Sequence, residues 1–398
     1  VPDSSSRIGG LMQAARLIES DLIALRRTLH AEPEVGFKEF KTSKRLRDVC
    51  VAAGATPSES IAETGFYVDL GPKSGPIIAY RTDIDALPIQ DFKTVGYCST
   101  TPGYGHLCGH DVHSTIATGI VRLLKPLEAS LNKRVRVFFQ PAEETSPSGA
   151  PLILQAGVLD QAELVMGMHC DPTLPSGQMG LKPGADTASF DGFDITVKSP
   201  FTLHSARPHT GPDAMWIALK LASELYALPT RITDSQVPSV IAVGTFHGGE
   251  AINAIPDTVR FTGTIRTSGQ HERDILNDHL EKLLKAYEAL YGVSVTRTRH
   301  EGAPPVMNDP QLTQRIGGKL ASLMGATNVV PRHQSMGAED FGHYTAKMPG
   351  VFIRVGSQKN SDTAHELHSN YFDVDESIIA PTCAYFADTL IALANSEI

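Results

Sequence analysis

Several absences narrow this sequence before any motif is read. It has no dense block of lysine or arginine, and its 35 basic residues are outnumbered by 44 acidic ones for a formal net charge of −9. Nucleic acid is therefore not an expected partner, because a phosphate backbone calls for a basic stripe. An acidic surplus favours solubility and says little about substrate. No apolar run approaches the roughly 20 residues that cross a bilayer, so no membrane partner is expected. Residues 1–7 are polar and lack the basic-then-apolar pattern of a secretion signal. The two readings left are a cytoplasmic location or earlier removal of a leader. The five cysteines, Cys50, Cys98, Cys108, Cys170 and Cys383, are odd in number and scattered, so they form no disulfide framework. A reducing compartment is the simpler reading. Internal repeats, low-complexity tracts and long linkers are also missing.

What is present looks like an ordinary globular chain, 41% hydrophobic and 20% charged. At 398 residues it is longer than one core usually grows, so two domains are expected. Apolar residues at helical spacing (Leu11, Ala15, Ile18, Leu22, Leu25, Leu29) predict one amphipathic helix over 11–30. Short apolar runs at 76–80, 135–139 and 164–168 predict buried strands, with helical stretches at 114–127 and 151–156 between them. Strands alternating with helices imply a largely parallel sheet, whose strand ends collect function. The middle of the chain instead reads β-α-β-β-α-β: strands near 193–197, 239–246, 259–265 and 293–296, helices near 213–227 and 273–291. That order is the ferredoxin-like unit. The expected domains are a catalytic domain over 1–185 and 300–398, the latter ending in a helix near 376–394, with an insertion at 186–299.

Chemistry concentrates in a few segments. Residues 106–113, His-Leu-Cys-Gly-His-Asp-Val-His, pack metal-binding side chains densely, and histidine, cysteine and carboxylate are the donors that borderline divalent metals prefer. Gly109 lets the backbone turn so that Cys108 and His110 can face one centre. Spacing alone does not separate ligands from supporting groups among these histidines. Glu143 and Glu144 follow the strand at 135–139. Neighbours on an extended backbone point oppositely, which suits one to a metal and the other to a water on the substrate side. His169 closes an apolar strand, where a packed core histidine is the plainer reading. Asp83 and Asp85 end another strand on one face. His365 and His368 read equally as exposed loop residues, and Glu339-Asp340 adds an acidic pair.

Taken together, these segments resemble the dinuclear-metal aminoacylase/carboxypeptidase family of peptidases. The nearest branch is its amidohydrolases, comprising hippurate hydrolases, auxin-conjugate hydrolases and N-acyl-amino-acid amidohydrolases. The resemblance runs in order through 81–88, 108–111, 140–144, 167–169, 204–209, 248–257, 336–341 and 368–369. It implies an α/β fold, a phosphorylase/hydrolase-like mixed-sheet catalytic domain with an inserted α+β ferredoxin-like lid that commonly mediates dimerisation. It also implies two divalent metal ions held by Cys108, His110, Glu144, His169 and His368, with zinc the first expectation and manganese the alternative. Glu143 becomes the general base and then acid, while Asp85 and Asp111 orient the ligands from behind. His204 matches an oxyanion-stabilising lid histidine, often reaching a partner subunit's site. Asn253 and Arg266 match positions that hold substrate oxygens, a task the forked arginine suits. One departure stands out: a glycine-rich stretch normally precedes the lid histidine, where this chain has Lys198-Ser199-Pro200-Phe201-Thr202-Leu203.

The expected function is hydrolysis of a small-molecule N-acyl amino acid by a homodimeric, metal-dependent amidohydrolase of linear amides. The same site also suits a dipeptidase or carboxypeptidase, or an aromatic-amine deaminase, because water attack on a substrate carbon uses the same parts. A metal-binding scaffold with a retired site is the reading from outside enzymology.

Overall fold

Two helices open the chain where periodicity predicts one. The computed structural model describes residues 4–360 and 363–398, and in it α1 spans Ser4–Leu17 and α2 spans Glu19–Ala31. Ile18 leaves the helical region between them (φ −106°, ψ 3°). Glu19 and Asp21 then place negative charge at the start of the second helix, where the helix dipole favours it. The apolar stripe continues through the break, so Leu11, Ala15, Leu22 and Leu29 are all buried.

The chain divides into two compact units. The first comprises Val1–Gly184, Met307–His333 and His343–Ile398; the second comprises Ala185–Val306 and Gln334–Gly342. The acidic pair Glu339-Asp340 thus belongs to the second unit.

The first unit is built on a seven-stranded mixed sheet. Its elements include α3 (Phe40–Ala52), β1 (Phe66–Leu70), β2 (Ile77–Asp83), α4 (His110–Leu124), β3 (Arg134–Gln140), β4 (Ala162–Pro175) and β5 (Met179–Leu181). The strand order is β1, β3, β2, β4, Gly350–Gln358, β5, Val329–Pro331. β2 runs parallel to both β3 and β4, and β4 runs parallel to Gly350–Gln358. β1 is antiparallel to β3. β2 is buried along its whole length, and β3 along all but its first residue, as expected of strands covered on both faces. β4 continues well past the predicted 164–168, so His169 lies within a strand rather than after one.

The carboxyl ends of β2 and β3 carry Asp83 and Gln140, so the loops holding Asp85 and Glu143-Glu144 leave the sheet side by side. The helix Ile379–Ala394 packs with α4 in the main core. Within Glu376–Ala394 an 18-residue stretch reaches a mean hydropathy of 1.5, which by composition would suit a bilayer span; 83% of that stretch is instead buried inside the fold. Its Asp388 is buried and paired with Arg7 at 2.6 Å and Lys319 at 2.5 Å. This helix is core.

The second unit follows the β-α-β-β-α-β order. Strands Asp191–Lys198, Ser239–His247, Thr258–Thr267 and Ser294–Glu301 and helices Ala214–Ala227 and Gln270–Tyr291 form it. The first and third strands are central and every neighbour is antiparallel. Asp213 caps the first helix by accepting from the Trp216 amide, and Gly292 ends the second in a left-handed conformation. Phe193, Ile195, Phe261, Leu221 and Leu280 fill its separate core.

Candidate metal centre

Gly109 decides the local geometry of the histidine-rich segment. It adopts φ +93°, and a β-carbon there would lie 3.2 Å from Cys170 Cβ and 3.3 Å from His113 Nε2. Only glycine meets both demands without strain. The turn starts α4 at His110, places Cys108 before it, and buries both side chains.

Four loops, the start of α4 and β4 then converge within the first unit. Cys108 Sγ lies 3.3 Å from His169 Nε2. His169 donates from Nδ1 to the Cys170 carbonyl at 2.7 Å, which leaves the Nε2 lone pair aimed at the thiol. His110 is held the same way, its Nδ1 lying 3.0 Å from the Asp85 carbonyl and 3.2 Å from Asp85 Oδ1. Its Nε2 faces Glu143 Oε2 at 3.9 Å and Glu144 Oε1 at 4.0 Å. His368, half exposed and with a positive φ of 66°, brings Nε2 to 3.1 Å from Glu144 Oε1. Its backbone amide donates to the Leu107 carbonyl at 2.8 Å, tying it to the same segment.

Both glutamates therefore turn toward one imidazole nitrogen, not to opposite sides as an extended backbone would send them. The backbone bends through Glu143 and Glu144 themselves, and it enters that bend from Ala142 at φ +55°, a left-handed conformation unusual for a residue with a side chain.

The donor set fits a pair of divalent cations. Cys108, His110 and His169 form one group, and Cys108, Glu144 and His368 another; within each, the donor atoms lie within 4.8 Å of one another. The thiol is common to both. Bonds of about 2.0–2.3 Å in a tetrahedral site place donors roughly 3.3–3.8 Å apart, and the sulfur–nitrogen distance of 3.3 Å falls in that range. Each buried ring has its second nitrogen engaged by a carbonyl or carboxylate, the support that metal-binding histidines need.

Electrostatics favour positive charge at this point. Burial raises the Cys108 thiol well above its ordinary range, and Glu144 and Glu143 raise it further. Burial pulls His110 down, yet Asp83 and Asp85 together hold it at about 10. Burial keeps His169 well below its usual value, so it offers the neutral ring that a metal requires. Burial opposes ionisation of Glu144, but His368 and His110 outweigh it and hold the carboxyl low.

All but one of the other predicted site residues fall elsewhere. Asp85 joins the cluster and also accepts from the Glu144 amide through Oδ2 at 3.0 Å. Asp111 turns to Arg26 Nε at 2.8 Å and His30 Nδ1 at 2.7 Å. In the second unit, His204 and Asn253 are exposed neighbours: Ala254 pairs with His204, and the Asn253 carbonyl accepts from the Ser205 amide at 3.0 Å. Arg266 donates to the Met336 carbonyl at 3.0 Å and lies 5.0 Å from the centre of the Phe190 ring. Glu39, one acid in a polar stretch, had no sequence signal to single it out for support of the site, whereas His113, left open between ligand and supporting group, takes the supporting place between Asp83 and Cys170.

The family model described as peptidase family M20/M25/M40 matches residues 79–392. The chain belongs to this family. Its resemblance to metal-dependent amidohydrolases, carried by the segments from Arg81 to Ser369, is thereby confirmed. This M20 hydrolase is 33% identical over 388 residues to the N-acetylcysteine deacetylase of Bacillus subtilis, covering 96% of this chain and 99% of that one. It is 34% identical, over 97% of its own length, to a Rhodococcus jostii relative that carries a glutamate–cysteine ligase name, and it spans only 48% of that protein. Among solved structures, the Bacillus subtilis YXEP protein, described as a dinuclear metal binding peptidase, matches with a TM-score of 0.83 at 31% identity. That match covers 96% of this chain and 99% of the other. The M20 chain is a metal-dependent hydrolase.

Proposed function

We propose that this enzyme hydrolyses the amide bond of an N-acyl amino acid, releasing a carboxylate and the free amino acid. The observation that carries the reading is the convergence of Glu143 and Glu144 on His110 Nε2 beside a thiol shared by two donor groups. Cys108, His110 and His169 would hold one divalent ion and Cys108, Glu144 and His368 the other, zinc by donor chemistry or manganese by availability. Such ions acidify water and polarise a carbonyl.

The chain's own residues do the rest. Glu143, on the rim of the cluster, takes a proton from the attacking water at its carboxylate. The water oxygen adds to the amide carbon, the carbon–nitrogen bond breaks, and Glu143 returns the proton to the departing nitrogen. Asp85 keeps His110 and Glu144 in register throughout. In the lid, exposed His204 and Asn253 serve the carbonyl oxygen, and Arg266 the substrate carboxylate. A homodimer assembles through this unit, whose edge strand Ser239–His247 and first helix expose Val240, Trp216 and Leu219.

Glu143→Ala tests the mechanism. Turnover of N-acetylated amino acids should fall by about 10²–10⁴ while metal content stays at the native value. Full activity in that variant sinks the role of Glu143. A panel of acyl-amino acids, dipeptides and aromatic amines, assayed for released amine, tests the substrate class; turnover of dipeptides alone refutes it.

A further inference from the structure

The bend that aims the two glutamates is held from outside the metal cluster. Glu39 lies directly before α3 and is fully buried. Its Oε1 accepts from the Ala142 amide at 2.9 Å, and its Oε2 accepts from Thr64 Oγ1 at 2.7 Å. The Thr64 carbonyl in turn accepts from Ser43 Oγ at 2.5 Å, and Ser43 donates its amide to the Glu39 carbonyl at 2.8 Å. The carboxylate is thus locked by its own helix and by the loop before β1.

The segment it grips needs a grip. Ala142 is held at φ +55°, where a β-carbon is disfavoured. Its carbonyl accepts from the Gly149 amide at 2.8 Å, and two residues on, the Glu144 amide is bound by Asp85. Gly36 makes room on the same side, since a β-carbon there would lie 3.0 Å from that of Ala142. Without the Glu39 bond, Ala142 is free to relax toward the extended conformation, which swings the Glu143-Glu144 segment as a unit away from His110.

We propose that Glu39 is a positioning residue for the reaction: by accepting the Ala142 amide hydrogen it maintains the left-handed bend that turns both Glu143 and Glu144 toward His110. The requirement is a hydrogen-bond acceptor at this point. This rests on the roles assigned above to Glu143 and Glu144.

The test uses the full-length, metal-loaded enzyme and three variants. Glu39→Met fills the same space but accepts no hydrogen bond. Glu39→Gln keeps a carbonyl oxygen for the Ala142 amide. Glu39→Met combined with Ala142→Gly removes both the acceptor and the β-carbon that makes the bend unfavourable. For Glu39→Met, kcat on whichever amide the native enzyme turns over should fall about 100-fold with KM within about threefold, and zinc affinity, read by chelator competition, about tenfold. Glu39→Gln should stay within about threefold of native in both. The double variant should recover at least tenfold in kcat over Glu39→Met. If Glu39→Met does not fold, a native-like Glu39→Gln alone supports the proposal, and a Glu39→Gln defective in both readouts overturns it. Native values in folded Glu39→Met, or Glu39→Gln as defective as Glu39→Met, also overturn it. The zinc arm does not depend on substrate, so a native enzyme inactive on every N-acyl amino acid refutes the substrate reading and leaves this one open to its own measurement.

Discussion

His113 accepts the amide hydrogen of Cys170 at Nε2, 2.9 Å away, and this contact settles which of its nitrogens carries the proton. Nε2 must be bare, so Nδ1 is protonated and donates to Asp83 Oδ1 at 2.7 Å. Burial keeps the ring below its ordinary pKa, consistent with a neutral imidazole. One side chain thus ties the end of β2 and the first turn of α4 to the stretch of β4 that carries His169. His113→Leu should weaken zinc binding by about 10–100-fold, the usual cost of losing support behind metal ligands. Chelator competition reads this directly, and native affinity would show that the strands hold their positions without it.

The sequence alone carried much of this arrangement. Residues 106–113 announce a metal site by donor density, and the alternation at 193–197 and 259–265 marks a second sheet. What it did not reveal depends on backbone conformation and tertiary contact. The separate aim of Glu143 and Glu144 follows from period-two geometry only if the chain is extended, and the backbone instead bends through both residues after the left-handed Ala142. Asp111, next to His110 in sequence, looks toward Arg26 and His30 because helical neighbours point to different faces. Ile18 has the right spacing for an uninterrupted helix, and only the acidic restart at Glu19 hints at two.

The Arg26–Asp111 pair gives a stability prediction separable from catalysis. Both side chains are fully buried, and Arg26 also reaches Asp373 at 2.8 Å and Glu376 at 3.3 Å. Removing one member of such a network leaves charge uncompensated in the interior, a cost of about 3–5 kcal/mol. Asp111→Ala should therefore lower the unfolding free energy of the metal-free protein by that amount in urea titrations. A loss below about 1 kcal/mol would mean that water or the remaining acids take over the pairing.

Gly109→Ala tests whether the turn before α4 is needed as built. A side chain at φ +93° is strained by roughly 1–3 kcal/mol, and the new β-carbon meets Cys170 and His113 at 3.2–3.3 Å. The melting temperature should fall, and zinc affinity should fall with it, because Cys108 and His110 flank the turn. A variant that melts lower yet binds zinc normally would separate the fold from the site.

Glu39 also predicts a pH dependence, and its sign is fixed by the direction of its shift. Burial, the largest influence, raises its carboxyl from 4.5 to about 7; Asp85 adds to the rise, while the bonds from Thr64 and Ala142 oppose it. Between those values the folded protein holds a proton that the unfolded chain has released. Stability therefore falls as pH climbs from about 4.5 through 7 and levels off above. The contribution of this one group is on the order of 3 kcal/mol across that interval. Glu39→Gln has no proton to lose, so its stability relative to the native chain should be lowest near pH 4.5 and rise steadily to about pH 8. Urea midpoints of the two metal-free proteins at pH 4.5, 6 and 8 measure the difference. Parallel profiles would show that the carboxylate is solvated when charged, and that the buried contacts to Ala142 and Thr64 open on ionisation.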